Sequence, residues 1–415
     1  MRLRKCAVTI WAVFSLLVWG SAHQTTAAKP LRVLLLAAGE GHDTASVVST
    51  LRWVLHRRGD MQVTVSREVR GLSAQGLRET DVLLLFAPGV PLDEPSREAL
   101  EAFAQRGGGV LVLHGVPGAV EGSADNVTVQ PLAPGHPVTS DVLPFQVTDA
   151  PTVVATLAPS AQVLARGKDG QPLVWVQETG KGREFFTTLG HMPAAWNHPS
   201  LQKLLLNALY WCARRKPPAP PVPRPPKGFV PLFNGVNLEG WGEVGPPCWS
   251  VQDGVIQCTG QSGSTGWLRS NRMYRNFILR LEYRISAGGN SGIFLRAPFY
   301  GRSSRLGMEL QIQDDGTAPP SNTCTSAVYS VVAPRLNPAK PAGEWNQVEV
   351  MLKDRHLRVM WNGHLVHDIH LDEPALSANL PRTHLLYRRP NWGYIGLQNH
   401  RSLVEFRNIF IKELD

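Results

Sequence analysis

Cysteine, long apolar runs and clustered charge are all scarce in this sequence, and each scarcity closes off a class of protein. Only five cysteines stand among 415 residues, and none forms a CxxC pair, so the thiolate spacing of a structural zinc site is missing. Between Cys6 and Cys212 there is no cysteine at all. The leading apolar run, Ala7 to Trp19, is about a dozen residues, short of the roughly 20 that cross a bilayer. No stable membrane span is expected. Lysine and arginine are scattered rather than gathered in a basic stripe with interleaved aromatics, so no nucleic-acid partner is expected either.

Before that apolar run stand Arg2, Arg4 and Lys5, and after it the small residues Gly20-Ser21-Ala22. Together they read as a secretory signal peptide, residues 1–28, cleaved after Ala22 or Ala28, and they imply a secreted or periplasmic protein. An uncleaved membrane anchor is the competing reading. Taking the three leader cations from the formal charge of +9 leaves +6, a mild excess that suits solubility. Cys248 and Cys258 flank the turn signal Asp253-Gly254. A three-residue loop would set them opposite each other, and their bonding depends on a register that sequence does not fix.

The tract KPPAPPVPRPPK, Lys216 to Lys227, can form neither helix nor sheet interior and divides the chain. As an extended polyproline linker, at about 3.1 Å per residue, it would hold its flanks roughly 35 Å apart. Before it, over residues 31–215, apolar strands alternate with helical patterns: Leu31 to Ala38, a helix from Thr44 to Arg57, Gln62 to Ser66, Asp81 to Phe86, a helix from Pro95 to Gln105, and Val110 to His114. That alternation predicts a doubly wound parallel α/β sheet. A hairpin turning at Gly180-Lys181-Gly182 and a closing helix from Pro199 to Arg214 follow.

Beyond the linker, over residues 228–415, the apolar period changes to two, as in Phe277, Leu279, Leu281, Tyr283 and Ile285. Turn signals recur at Gly288-Gly289, Asp354-Arg355 and Asn362-Gly363, so an all-β sandwich is expected. Three of its strands carry polar residues on alternate positions. Asn290, Gly292, Phe294 and Arg296 share one face; so do Glu309, Gln311 and Gln313; so do Tyr394, Gly396, Gln398 and His400. Gathered on one concave side, these groups would pair with sugar hydroxyls while aromatic rings cover the apolar sugar face. A solvated outer face is the alternative. Lys340 and Glu344-Trp345-Asn346 are candidates for the rim of such a site, and His364, His367 and His370 read as edge-strand surface residues.

The stretches FVPLFNGVNLEGW, WSVQDGVI, NFILRLEYRISAGGNSGIFLR, GMELQIQDD, VVAP, KPAGEWNQVEV, WNGHLV, GYIGLQNH and VEFRNIFIKEL follow in an order that resembles the 3-keto-disaccharide hydrolase (3-keto-glucoside lyase/hydratase) family. The resemblance runs from Phe229 to Leu414 and implies a concanavalin-like jelly roll that cleaves glycosides oxidised at C3. Ser326 departs from it, standing where the family usually has glycine in the segment that ends at Tyr329. A C3 ketone acidifies the C2 hydrogen, so such a site needs a base, a stabiliser for the enolate oxygen and an acid for the leaving group. Glu309 and His400 are the candidate base and acid, in either order. Asn290, Arg296, Gln311, Asp314, Tyr329, Lys340 and Gln398 are the candidate substrate contacts. No cofactor is assigned; a divalent metal on Glu309, Asp314 and His400, in place of the cationic stabiliser, stays open, although no ligand spacing demands it. The implied partner is an oxidised (3-keto) di- or oligosaccharide or glycoside, and the alternative is a carbohydrate-binding module without turnover.

The first half carries GEGH ending at His42, GGGVLVLHG from Gly107 to Gly115, GHPVT from Gly135 to Thr139 and GKGREFFTTLGH from Gly180 to His191. It resembles the ThuA-like (trehalose-utilisation) family, which implies a flavodoxin-like, glutamine-amidotransferase-like domain over Leu31 to Arg214. Amidotransferases place a nucleophilic cysteine at the turn after the fourth strand, where this chain has His114-Gly115-Val116, so glutaminase chemistry is excluded. His42, His114 and His191 fall at the carboxyl edge of the expected sheet. They read either as a small-molecule or metal pocket or, more plainly, as buried groups satisfying backbone, in a degenerate binding or scaffolding domain.

Overall fold

A computed structural model of the chain describes residues 29–415 apart from 40, 41, 58, 70, 71, 117, 134, 220–222, 261, 262, 264, 317, 377, 379 and 382–384. The leader, with its signal-peptide expectation, lies outside the described residues. Among those described, no helix is long and apolar enough to cross a membrane.

The first half builds a nine-stranded sheet in the order β2-β1-β3-β4-β9-β8-β7-β5-β6. Its strands are β1 Leu31–Ala37, β2 Met61–Ser66, β3 Val82–Phe86, β4 Gly109–Leu113, β5 Asp125–Pro131, β6 Phe145–Asp149, β7 Gln162–Arg166, β8 Pro172–Thr179 and β9 Gly182–Thr187. The helices are α1 Thr44–Leu55, α2 Glu94–Gln105 and α3 Pro199–Cys212. Asp43 and Asp93 cap α1 and α2 by accepting the backbone N–H groups of Ser46 and Ser96, which satisfies donors that the first helical turn leaves free. Alternate residues of β1, β3 and β4 feed two separate cores. Val33, Leu35 and Leu84 pack with α1 and α3, whereas Leu34, Leu83 and Val110 pack with Phe103 of α2. That two-sided burial is why these strands read as unbroken apolar runs.

The expected parallel sheet holds for β2, β1, β3, β4 and β9, and the expected hairpin at Gly180-Lys181-Gly182 joins β8 to β9. The remaining four strands are antiparallel to their neighbours, and β5 in particular, as DNVTVQP, is too exposed to show the run of a buried strand.

The second half is a sandwich. Its strands are β10 Val230–Pro231, β11 Trp241–Val244, β12 Trp249–Gln252, β13 Val255–Cys258, β14 Gly266–Tyr274, β15 Phe277–Ile285, β16 Asn290–Ala297, β17 Met308–Gln313, β18 Asn346–Lys353, β19 His356–Trp361, β20 His364–His370, β21 Gly393–Asn399 and β22 Val404–Glu413. One sheet has eight strands, β12-β13-β22-β15-β18-β19-β20 with β10 beside β22, and the other has five, β11-β14-β21-β16-β17. Leu279, Leu281, Val350 and Phe406 from the first meet Ile293, Leu310, Ile395 and Leu397 from the second in one dry core. A single helical turn, α4 Ser303–Leu306, crosses between β16 and β17. Asn362-Gly363 takes positive φ at both residues, the type I′ turn that joins β19 to β20. On β20 His364 and His370 are exposed, but His367 is buried and meets the Ser326 carbonyl at 2.8 Å. It is not a surface residue.

Asp253-Gly254 proves to be a two-residue turn that pairs Trp249 with Cys258, so Cys248 sits one residue off register. Both cysteines are free thiols, and their mutual hydrogen bond, with burial, raises the Cys248 pKa.

The linker does not separate the halves. Arg57, just past α1, donates from Nε to Glu405 of β22 at 2.9 Å and also reaches Gln202 and Gln252. The other oxygen of Glu405 accepts from Arg284 Nε at 2.7 Å, and the Arg284 guanidinium lies over the Trp53 ring of α1 at 4.2 Å. All three ionic side chains are fully buried. The expected separation of roughly 35 Å is therefore overturned: the contacts of buried Arg57 with Glu405 and Gln252 run directly from one half to the other.

Glu405 is desolvated, yet its two guanidinium partners hold its pKa below the ordinary glutamate value. The unfolded chain takes up the proton first, so the stability from this bridge is full above the ordinary glutamate value and is lost as pH falls toward the lowered one. Glu405→Ala should lower the unfolding free energy, measured by denaturant titration at neutral pH, by about 3–5 kcal/mol, and a loss under about 1 kcal/mol, the scale of an exposed ion pair, would contradict the bridge's role.

Candidate active site on the five-stranded sheet

The outer face of β16, β17 and β21 is hollowed, and the ladder registers explain how. Pairing sets Gly292 against Gln311 and Phe294 against Glu309, and Phe294 against Gly396. Because side chains alternate faces, Asn290, Phe294, Glu309, Gln311 and Gln398 emerge together. The glycines keep the floor low. A Cβ on Gly292 would come within 2.5 Å of a Glu309 carboxylate oxygen, and one on Gly396 within 2.2 Å of the Trp267 ring. The result is a hollow of about 360 Å³ lined by Asn290, Glu309, Gln311, Tyr329, Gln398 and His400, with Trp267 and Phe294 as an edge-to-face wall and Arg302, Ser303 and Ser304 along one rim. Its size and mixture of rings and polar groups suit one small polar ligand.

Glu309 is 3 % exposed. Loss of water pushes its pKa up to about 7, against the opposing pull of hydrogen bonds from Gln398 and Ser304 and the charge of Arg302. A carboxyl group divided between its two protonation states near neutrality suits proton transfer. Two neighbouring acceptors, Gln311 Oε1 and Gln398 Oε1, are buried without a partner. Such orphaned carbonyls are costly unless a ligand donor meets them, and sugar hydroxyls are donors of that kind.

Six expected site residues thus line one hollow: Asn290, Glu309, Gln311, Tyr329, Gln398 and His400. Three do not. Arg296 is wholly buried and spends its guanidinium on the Arg275 and Asp354 carbonyls and on Asn276. The cause is a bulge: the β16–β21 register shifts between Phe294 and Ala297, Arg296 takes φ of 48°, and the period of two ends there. Asp314 lies past the end of β17 and accepts the Gly288 N–H at 2.9 Å. Lys340 Nζ donates to the Trp345 carbonyl at 3.0 Å. A metal on Glu309, Asp314 and His400 finds no support, because among the described residues the metal-competent cluster lies in the other half. The cation of the site is Arg302, which sequence pattern missed because GRSSRLG belongs to no strand and has no period.

Residues 228–412 match the family described as a 3-keto-alpha-glucoside-1,2-lyase-like domain, and residues 32–212 match the one described as trehalose utilisation. The chain joins a ThuA domain to a 3-keto-disaccharide hydrolase-type domain. A curated relative from Bacteroides thetaiotaomicron, a 3-keto-disaccharide hydrolase, is 29% identical over 238 residues, which covers 45% of this chain and 79% of the relative. A solved structure from Parabacteroides distasonis, provisionally named a glycosyl hydrolase, is 27% identical and covers 45% of this chain and 95% of its own, with a TM-score of 0.41. Another from Parabacteroides merdae, provisionally named ThuA-like, is 19% identical and covers 48% and 94%, with a TM-score of 0.40.

In the ThuA domain, His42, His114 and His191 meet in space and Glu121 joins them. His114 does satisfy a buried carbonyl, that of Thr188 at 3.0 Å, so part of the plainer expectation holds; the convergence of all three rings goes beyond it.

In the hydrolase-type domain, folding raises the Glu309 pKa, so the folded chain keeps its proton longer than the unfolded one. Its contribution to stability therefore falls as pH rises from the ordinary glutamate range through about 7. Infrared titration should show a protonated-carboxyl band with a midpoint of about 7 that vanishes in Glu309→Gln. A midpoint in the ordinary carboxylate range would refute the desolvation of this group.

Proposed function

We propose that this protein is a carbohydrate-active enzyme that cleaves 3-keto-glycosides and 3-keto-disaccharides in the hollow of its C-terminal sandwich. One observation carries the reading: a desolvated carboxyl group with its pKa raised to about 7 sits beside orphaned amide acceptors in a sugar-sized pocket. The B. thetaiotaomicron relative, by its name a 3-keto-disaccharide hydrolase, supports the substrate class.

The Glu309 carboxylate removes the hydrogen from C2, and the C–H electron pair moves into the C3 carbonyl to give an enolate. Arg302, whose charge already acts on Glu309, is the cation available to the enolate oxygen. The enolate pair then returns to form the C1=C2 bond as the C1–O bond breaks, and the leaving oxygen takes a proton from His400, at the rim where β21 ends. Water adds at C1 and a proton returns to C2, so the net change is hydrolysis. Gln311 and Gln398 accept hydroxyls, and Trp267 covers the apolar face of the ring.

The leader of Arg2, Arg4, Lys5 and the following apolar run supports export to the periplasm or beyond as part of this proposal. The sandwich is proposed to be a concanavalin-like jelly roll, and the first half a flavodoxin-like domain.

With a 3-keto-disaccharide as substrate, Glu309→Gln should lower kcat/KM by about 10²–10⁴-fold, and the wild-type rate should fall as pH drops below about 7, since the base must be ionised. The unoxidised disaccharide should be inert. Tight sugar binding without turnover, unchanged in the variant, would identify a binding module instead.

A further inference from the structure

Three parallel strands of the first half lead into segments that carry histidines. His42 follows β1, His114 follows β4 directly and His191 follows β9, all at the same carboxyl edge of the sheet. Glu121 arrives from the segment after β4. One ligand atom from each of the four lies within 4.8 Å of all the others. His191 Nδ1 is 3.2 Å from His114 Nε2, His42 Nε2 is 3.1 Å from Glu121 Oε1, and His191 Nδ1 is 3.9 Å from the same oxygen. Four ligands held tetrahedrally at zinc–nitrogen bond lengths stand about 3.3 Å apart along each edge. The observed separations bracket that figure.

The rings are aimed rather than stacked. Their centroids lie 4.9 to 5.4 Å apart at interplanar angles of 60° to 70°, which turns edges, and hence nitrogens, toward one point. His114 Nδ1 faces the Thr188 carbonyl at 3.0 Å. A carbonyl accepts only, so the ring proton is on Nδ1, and the Nε2 lone pair points into the cluster, as the outer hydrogen bond of a metal-bound histidine does. His114 also adopts φ of 57°, a conformation unfavourable for a residue with a side chain. The His191 segment is pinned by buried Asp149, which accepts the N–H groups of Gly190 at 2.6 Å and Met192 at 2.9 Å.

We propose that His42, His114, His191 and Glu121 bind one divalent transition-metal ion of the zinc class. Three imidazoles and a carboxylate favour such an ion over magnesium or calcium, which take oxygen ligands. The side chains grade outward, His42 6 % and His191 28 % exposed against 61 % for Glu121. The imidazoles form the fixed floor, and Glu121 is the ligand that an incoming oxygen, from water or from a carbonyl or hydroxyl of a substrate, displaces. The first half is then a Lewis-acid site in its own right, independent of the Glu309 hollow.

The test is titration of the chelator-stripped, full-length chain with cobalt(II), followed by its visible d–d bands, and with zinc(II) against a chromogenic competitor. The wild type should bind one ion per chain with a tetrahedral cobalt spectrum. His114→Ala and His191→Ala should each weaken binding by more than about 100-fold, and Glu121→Gln by about tenfold; His364→Ala, an exposed histidine on β20, should bind as the wild type does. Glu121 is exposed enough for its variant to fold, so the set decides even if His114→Ala does not fold. Absence of stoichiometric uptake, or uptake that His191→Ala and Glu121→Gln leave unchanged, overturns the site.

Discussion

Withdrawal of the Glu309 carboxyl from water is the constraint on which the C-terminal half turns. A carboxylate in an apolar setting costs several kcal/mol unless its environment repays it, and here the compensation is deliberately incomplete: one amide, one hydroxyl and one rim guanidinium. Full pairing would have pinned the group as a permanent anion, useless as an acid and weak as a base. Partial pairing leaves it near neutrality. The strand registers that put Phe294 across from Glu309, the missing Cβ of Gly292 and the wall of Trp267 all serve to hold that carboxyl dry while leaving one side open.

A different solution to buried charge joins the two halves. Glu405 is matched on both oxygens by guanidinium groups from opposite sides of the interface, with Gln202 and Gln252 completing the coordination of Arg57. Its pKa falls where that of Glu309 rises, although both are desolvated. The contrast isolates the deciding variable, which is the number of cations in contact rather than depth of burial. It also gives the proline tract a different role from a spacer, since it spans two bodies already in register.

Where the strands stay regular, the period of two marks side chains that line the hollow. Glu309, Gln311, Asn290 and Gln398 could be read from sequence because alternation alone puts them on one face. The period fails at Arg296, where the bulge rotates the chain; Asp314 and Lys340, which no alternation had placed, lie beyond strand ends. Alternation could not find Arg302 or Ser304, because a connecting segment with one helical turn has no face to predict. In the first half the apolar strands and capped helices were legible, whereas β5 to β7 were not, since half-exposed strands resemble loops. The histidines could be placed at a sheet edge, but their convergence depends on the β1-β3-β4-β9 strand order, which no local pattern encodes.

Proton abstraction at C2 is the central chemical claim, and solvent isotope reports on it directly. The full-length protein incubated in heavy water with a 3-keto-glucoside should yield a sugar carrying deuterium at C2, in step with release of the aglycone and lost together with it in Glu309→Gln. Release of the aglycone with the original hydrogen retained at C2 in the product would contradict the enolate route and require cleavage by protonation of the glycosidic oxygen alone.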